Sequence, residues 1–265
     1  MVLLWCAFNK EPDSMKVSKK AIDTIEIPLP APQYQAYDPG EKLEYSLKYA
    51  MITGAHATLE VKKDLTKINE EDHYHIYIDA KTNKFLDGIY MVRDKYESFI
   101  NSHTLLPSLF NRDIKENNYI KKESYVFDQK LHRVKMEAKE DSIAPRTFDI
   151  ISGFYYLRSL NFNTMKKGTR LRVNTYFDKQ FFPLGATYVG KSTVTTGLGT
   201  FKVKVFKPKL IEGRLFANQS DMTLYVSDDS NQVPIRIESA VYLDKVKADL
   251  VNFQHLKYKL SSKIK

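Results

Sequence analysis

One cysteine, Cys6, stands among 265 residues. That scarcity excludes an internal disulfide and any metal site built from several cysteines, and it leaves the redox compartment unread. No stretch approaches the roughly 18 consecutive apolar residues that a membrane-crossing helix requires. Internal repeats are missing, as is any low-complexity tract apart from one run of prolines. Familiar catalytic arrangements are missing too. No nucleophile elbow or Ser/His/Asp set can be assigned, and Gly197-Leu198-Gly199 has neither a following helix nor a P-loop lysine, so it reads as a hairpin turn.

What is present describes a chain that folds. Apolar residues make up 43% and charged residues 28%, far from the composition of disordered chains. The length suits one large β domain. The formal charge is +9, but basic and acidic residues interleave, which fits strands with Lys-rich outer faces that discourage edge pairing. Such a surface favours anionic partners through a field that salt screens. Lys121, Lys122, Lys130, His132, Arg133 and Lys135 interleave with Tyr119, Tyr125 and Phe127. Period-two placement turns many of those rings away from the basic face, so no nucleic-acid partner is expected.

The N-terminal Met1-Val2-Leu3-Leu4-Trp5-Cys6-Ala7-Phe8 is a short apolar stretch without a basic lead, which reads as the remnant of a truncated export signal. Cys6 is a candidate lipid anchor, although Trp5 stands where such sites take a small residue. From Asn9 to Asp38 the chain is polar and then proline-punctuated, through Ile27-Pro28-Leu29-Pro30-Ala31-Pro32, and reads as an extended tether. The expected organisation is signal remnant and tether over 1–38 and a single β domain over 39–265. The protein is expected to be exported, to the periplasm or outer membrane of a Gram-negative bacterium.

After the turn pair Pro39-Gly40 the sequence alternates. Leu43, Tyr45, Leu47, Tyr49 and Met51 make one half-buried strand, and Ala55, Ala57, Leu59 and Val61 a second that pairs with it as a hairpin. The same period recurs at Tyr74-Ile76-Ile78-Ala80, Tyr125-Phe127, Val134-Met136, Leu171-Val173-Thr175-Phe177, Phe201-Val203-Val205, Met222-Leu224-Val226, Ile235-Ile237 and Val246-Ala248-Leu250. Turn clusters such as Asp228-Asp229-Ser230-Asn231 separate them. The fold class is therefore all-β and mainly antiparallel, either two packed twisted sheets or an open or half barrel. One segment departs from the period: residues 149 to 160, opened by Asp149 as an N-cap, are apolar at helical spacing and form the main helix, expected against the concave side of the sheet.

Several stretches taken together carry a family resemblance. They are Gly40-Glu41-Lys42-Leu43-Glu44-Tyr45, Ile52-Thr53-Gly54-Ala55-His56-Ala57, Val92 to Ile100, Leu105-Leu106-Pro107-Ser108-Leu109-Phe110, Ser152 to Arg158, and Leu224 to Ile235. In order and spacing, from about Gly40 to Phe253, the chain resembles the bacterial family of unknown function DUF3108. The resemblance implies an exported, mostly β protein, frequent in Gram-negative and Bacteroidetes-like bacteria, with no established reaction or ligand. Tyr225 followed by Val226 is a modest departure, since an aromatic often precedes the late Ser-Asp pair.

Three groups of residues invite chemistry. His73 and His75 share one face of a strand near Asp72 and Asp79, but Tyr74, Ile76 and Ile78 take the inward positions, which puts both histidines toward solvent; no metal or other cofactor is expected. Arg93, Asp94 and Glu97 lie where one strand is read to turn into another, and Arg158 ends the helix, so Arg158 is expected to pair with Asp94 or Asp149. Finally, 17 Tyr and 15 Phe suit a curved sheet lined with rings that carry polar tips. The leading expectation is a non-enzymatic binding or assembly factor for an amphipathic lipid or glycan, held by Phe154, Tyr155, Tyr156, Arg158, Arg93 and Asp94, with other envelope proteins as further partners. The alternatives are an envelope hydrolase using Asp94, Glu97 and Arg158, and a purely structural interaction domain.

Overall fold

The computed structural model describes residues 34–49, 52–209, 222–241 and 244–265. Cys6 and the proline run through Pro32 lie outside the described residues. The N-terminal half contributes β1 (Lys42–Tyr49), β2 (Ile52–Val61), β3 (Thr66–Ile68), β4 (Glu71–Thr82), helix α1 (Lys84–Asp87), β5 (Arg93–Asn101), β6 (Pro107–Glu116), β7 (Tyr119–Asp128), β8 (Arg133–Met136) and β9 (Lys139–Ser142). Then come β10 (Thr147–Phe148), helix α2 (Ile150–Arg158), β11 (Arg170–Phe177), β12 (Gln180–Thr196), β13 (Gly199–Lys209), β14 (Thr223–Ser227), β15 (Pro234–Val241) and β16 (Asp244–Gln254).

All sixteen strands belong to one sheet, ordered β10-β11-β12-β13-β14-β15-β16-β1-β2-β4-β5-β6-β7-β8-β9, with β3 on β4. Pairing is antiparallel except between β10 and β11. The expected hairpin of β1 and β2 forms, with Leu43 opposite Leu59 and Tyr45 opposite Ala57. Gly197 and Leu198 are the hairpin turn between β12 and β13, since Thr196 faces Gly199. Of the two architectures expected, the open-barrel form is the one observed. Residues 93 to 101, read as a place where one strand turns into another, run instead as the single strand β5.

The hydrogen-bonded ladder does not close, yet its two ends lie only the residues Ile143–Arg146 apart in the chain. A link that short confines the joined ends of β9 and β10 to within roughly 18 Å of each other. Side chains bridge the seam. Phe110 of β6 packs edge-on against Phe177 of β11 at 5.9 Å, and Tyr125 of β7 against Tyr176 at 5.7 Å. Arg112 Nη2 and Lys121 Nζ reach Asp178 at 2.6 and 2.8 Å. Asp178 and Lys179 both have positive φ (52° and 57°), forming a tight two-residue turn that presents the carboxylate to β6 and β7.

Helix α2 starts where the sequence predicts. Asp149 Oδ1 accepts from the amides of Ile151 and Ser152 at 2.8 and 2.9 Å, and Ser152 Oγ accepts from the Asp149 amide at 3.0 Å, a reciprocal capping box. Ser98 Oγ of β5 donates to the other oxygen of Asp149 at 2.7 Å, which ties the helix start to the sheet. Gly153 permits close approach, because a Cβ there would lie 3.3 Å from Val173 Cγ2 of β11. The helix is thus buried on several sides: Ile150, Ile151, Tyr155, Tyr156 and Arg158 are all covered.

Candidate functional site

The last turn of α2 and the strand entry before β1 meet in the interior. Arg158 donates from Nη1 and Nη2 to the two carboxylate oxygens of Glu41 at 2.7 and 2.9 Å, and Nη2 also donates to the Asn231 carbonyl at 3.0 Å. Glu41 is 0% and Arg158 2% exposed. Burial alone would lower the arginine's proton affinity, but the adjacent Glu41 carboxylate outweighs it and keeps the guanidinium charged. The partner expected from sequence was Asp94 or Asp149; the observed partner is Glu41. Asp149 is occupied by its capping bonds, and its carboxyl is pushed upward by burial.

Aromatic rings surround this ion pair. The Arg158 guanidinium lies 5.0 Å from the Tyr155 ring and 5.6 Å from the Tyr37 ring. Tyr37 meets Tyr155 edge-on at 4.7 Å and Tyr74 at 5.5 Å, and Phe154 meets Tyr155 at 5.6 Å. Among the described residues, four buried polar atoms here have no hydrogen-bond partner: Tyr37 Oη, Tyr155 Oη, Arg158 Nε and Gln35 Nε2. Gln35 reaches toward Tyr37, and Arg158 toward Tyr155, without meeting hydrogen-bond geometry. Burial drives both phenols far above their ordinary range, so they are neutral hydroxyls. Because Glu41 already balances the guanidinium, the cluster suits a neutral oxygen, an ester or amide carbonyl or a sugar hydroxyl, better than an anion.

The turn after β14 holds the cluster from below. Gln232 Nε2 donates to the carbonyls of Arg158 and of Leu160, satisfying the end of the helix. Asn231 exchanges two bonds with the Tyr258 backbone at 2.9 and 3.0 Å. The segment Gln35–Tyr37 lies over the cluster, with Ala36 and Tyr37 fully buried although the sequence reads them as tether. Tyr258 Oη donates to the Gln35 carbonyl at 3.2 Å, and Lys257 Nζ donates to Asp38, just beyond the segment, at 2.9 Å.

The remaining sequence candidates are dispersed. Tyr156 is buried on the other side of α2, where Arg146 donates to its hydroxyl at 2.8 Å. Tyr155, Tyr156 and Arg158, expected to hold the ligand, are all interior. Arg93 clamps α1 through Asp87 at 2.6 Å. Asp94 is fully buried and its Oδ1 accepts from the Lys115 amide at 3.3 Å, and the neighbouring Glu116 accepts from Tyr90 Oη at 2.6 Å. Burial, and after it the neighbouring Asp94 carboxyl, push Glu116 up to about 7 against the pull of Tyr90. Glu97 lies three residues from Asp94 on the opposite face of β5, bonded to His75 at 2.9 Å. Asp94, Glu97 and Arg158 are not brought together. His73, expected toward solvent beside His75, is buried, because the Glu71 carbonyl and Ser108 Oγ take its two ring nitrogens at 2.8 Å each. Among the described residues no group of three or more His, Cys, Asp or Glu converges as a metal site.

The family profile described as "Protein of unknown function (DUF3108)" matches residues 44–251, most of the chain. The chain belongs to the DUF3108 family. No curated protein matches it. Among solved structures it is similar to a beta-barrel-like protein of domain of unknown function DUF1849 from Brucella abortus, with TM-score 0.53 and 7% identity over 83% of this chain and 99% of that one. That likeness bears on the fold alone, and it agrees with a curled, unclosed sheet. A candidate lipoprotein from Parabacteroides distasonis is similar at TM-score 0.37 and 10% identity, over 83% of this chain and 99% of that one. A candidate exported protein with a YmcC-like fold from Bacteroides fragilis is similar at TM-score 0.38 and 11% identity, over 82% and 98%. Within this DUF3108 chain, Glu41, the helix end through Arg158, and Asn231-Gln232 come from three separate sequence stretches and meet at one cluster.

Proposed function

We propose that this DUF3108 protein is an exported, envelope-tethered, non-enzymatic binding or assembly factor. It holds an amphipathic ligand, lipid-like or saccharide-bearing, with a neutral oxygen of that ligand against Tyr37, Tyr155 and Arg158. The observation that carries this reading is the set of unpaired Tyr37 Oη, Tyr155 Oη and Arg158 Nε within one aromatic cluster. Each buried polar group left unmatched costs about 1–3 kcal/mol, so a cluster of them favours a molecule that supplies the missing partners. Aromatic rings around them offer the apolar surface that the rest of such a ligand needs. Export and tethering are supported by the apolar N-terminus and the proline-rich stretch that follows it.

Mass spectrometry of organic and aqueous extracts of protein purified from native envelopes tests the proposal. The wild type is expected to release a lipid or glycan that the Tyr37→Phe/Tyr155→Phe variant retains at least tenfold less. Equal retention by both proteins, or no bound molecule in either, contradicts it. A purely structural interaction domain is the second reading. Its support is that Arg158 is sealed by Glu41 and the Asn231 carbonyl, an arrangement that fixes packing.

A further inference from the structure

Three neighbouring places share one end of the sheet: the end of β1 at Tyr49 beside the start of β2 at Ile52, the β4–β5 connection containing α1, and the β6–β7 turn. The antiparallel register sets them side by side. Ala55 faces Thr82, Lys81 faces Arg93, and Val92 bridges Glu116. Direct bonds lace them together. Asn83 donates from its amide to the Gly54 carbonyl at 2.9 Å and from Nδ2 to the Thr53 carbonyl at 2.6 Å. Met91 and Asn117 exchange two bonds at 2.8 and 2.9 Å.

This rim is apolar where a protein surface is ordinarily polar. Tyr49, Ile52, Phe85, Ile89, Tyr119 and Ile120 stand on it, six of the thirteen exposed large apolar side chains among the described residues. Phe85 is 66% and Ile89 72% exposed. Single exposed apolar residues need no explanation, but a row of them across adjacent loops marks an interaction surface. The rim is also positive. Lys81, Lys84 and Lys115 are exposed and make no ion pair among the described residues. The carboxylates nearby are engaged: Asp87 by Arg93, Asp113 by Lys122, and Glu116 beneath Tyr90.

We propose that this rim docks on an anionic lipid surface, with the apolar tips at headgroup depth and the three lysines on acidic headgroups. A second copy docking through the same rim would set lysines against lysines. A fluid interface accepts side chains from three separate loops without a matching shape, and acidic lipid neutralises the unpaired lysines. The inference does not rest on the ligand reading, since Tyr37 and Tyr155 play no part in it.

Co-sedimentation of the full chain with lipid vesicles tests it, using Cys6→Ser protein so that no acyl anchor contributes. The protein is expected to partition onto vesicles containing phosphatidylglycerol, and far more weakly onto phosphatidylcholine alone, with binding reduced by salt. Lysine near an acidic surface contributes about fivefold each, so Lys81→Gln/Lys84→Gln/Lys115→Gln weakens partitioning on the order of 100-fold. Phe85→Ser/Ile89→Ser weakens it by at least about tenfold. All substituted side chains are solvent-exposed, and unchanged thermal melting verifies that the variants fold. Failure to bind the acidic vesicles, equal binding to both vesicle types, or variants that bind like the parent would overturn the proposal. So would a rim variant that abolishes self-association of a chain that never binds vesicles, which would make a second copy the occupant.

Discussion

Glu41 and Arg158, 117 residues apart in sequence, form a fully buried two-point ion pair that joins the first strand to the end of the interior helix. Removing one partner strands a charge in the interior. Arg158→Met is expected to cost about 3–5 kcal/mol in urea unfolding. Pairing it with Glu41→Leu is expected to restore part of that loss, so that the double variant is more stable than Arg158→Met alone. A double variant as unstable as the sum of the singles would mean that the two residues act separately.

Glu116 gives the fold a pH dependence of definite sign. Its folded pKa of about 7 lies above the ordinary glutamate value of 4.5, so the native state holds a proton that the unfolded state has released over that interval. Stability should therefore fall as pH rises from about 4.5 to about 7, by up to about 1.4 kcal/mol per pH unit from this group, and level off above. Glu116→Gln keeps a hydrogen-bonding amide beside Asp94 and Tyr90. Denaturant midpoints measured from pH 5 to 8 should lose that downward slope in the variant. An unchanged slope would assign the titration elsewhere.

Asp149 closes the start of α2 and bonds Ser98 as well. Asp149→Ala should cost at least about 1–2 kcal/mol, whereas Asp149→Asn, which keeps an acceptor for the helix amides, should cost clearly less. Thermal melts of the pair separate the cap from the charge.

Gly199 has φ +121°, and a Cβ there would collide with the Lys265 carbonyl, which accepts from the Thr200 amide at 3.0 Å. Gly199→Ala should therefore cost more than about 1 kcal/mol and release the C-terminal tail from β13. Hydrogen exchange would report this as lost protection at Thr200 and Ile264.

Much of the fold was legible because strand period and helix capping are local. The alternation from Leu43 to Val61 sufficed for the first hairpin, and Asp149 before an apolar run sufficed for the helix. What was not legible depends on long-range pairing. The alternation that points Tyr45 inward carries no information on which carboxylate meets Arg158, and Glu41, Asn231 and Gln232 looked like turn and strand-entry residues. Asp94 and Glu97 are three apart, and on a strand an odd spacing sends them to opposite faces. His73 is buried because Ser108, at the start of β6, meets its ring, a long-range contact that a period of two does not show. Tyr37 was assigned to the tether because proline-rich composition precedes it, although its ring packs against Tyr155.

Whether Tyr37 and Tyr155 keep unpaired hydroxyls for a ligand is read from the melting temperatures of ligand-stripped and ligand-loaded protein. Stripped of bound molecules, Tyr37→Phe/Tyr155→Phe should be at least as stable as the wild type, because it removes two unmatched buried hydroxyls. Reloaded with the native-envelope extract, the order should reverse, with the wild type gaining several degrees and the variant little. A variant that is already less stable in the stripped state, and an extract that shifts neither protein, would show that the hydroxyls serve the fold and would contradict the account.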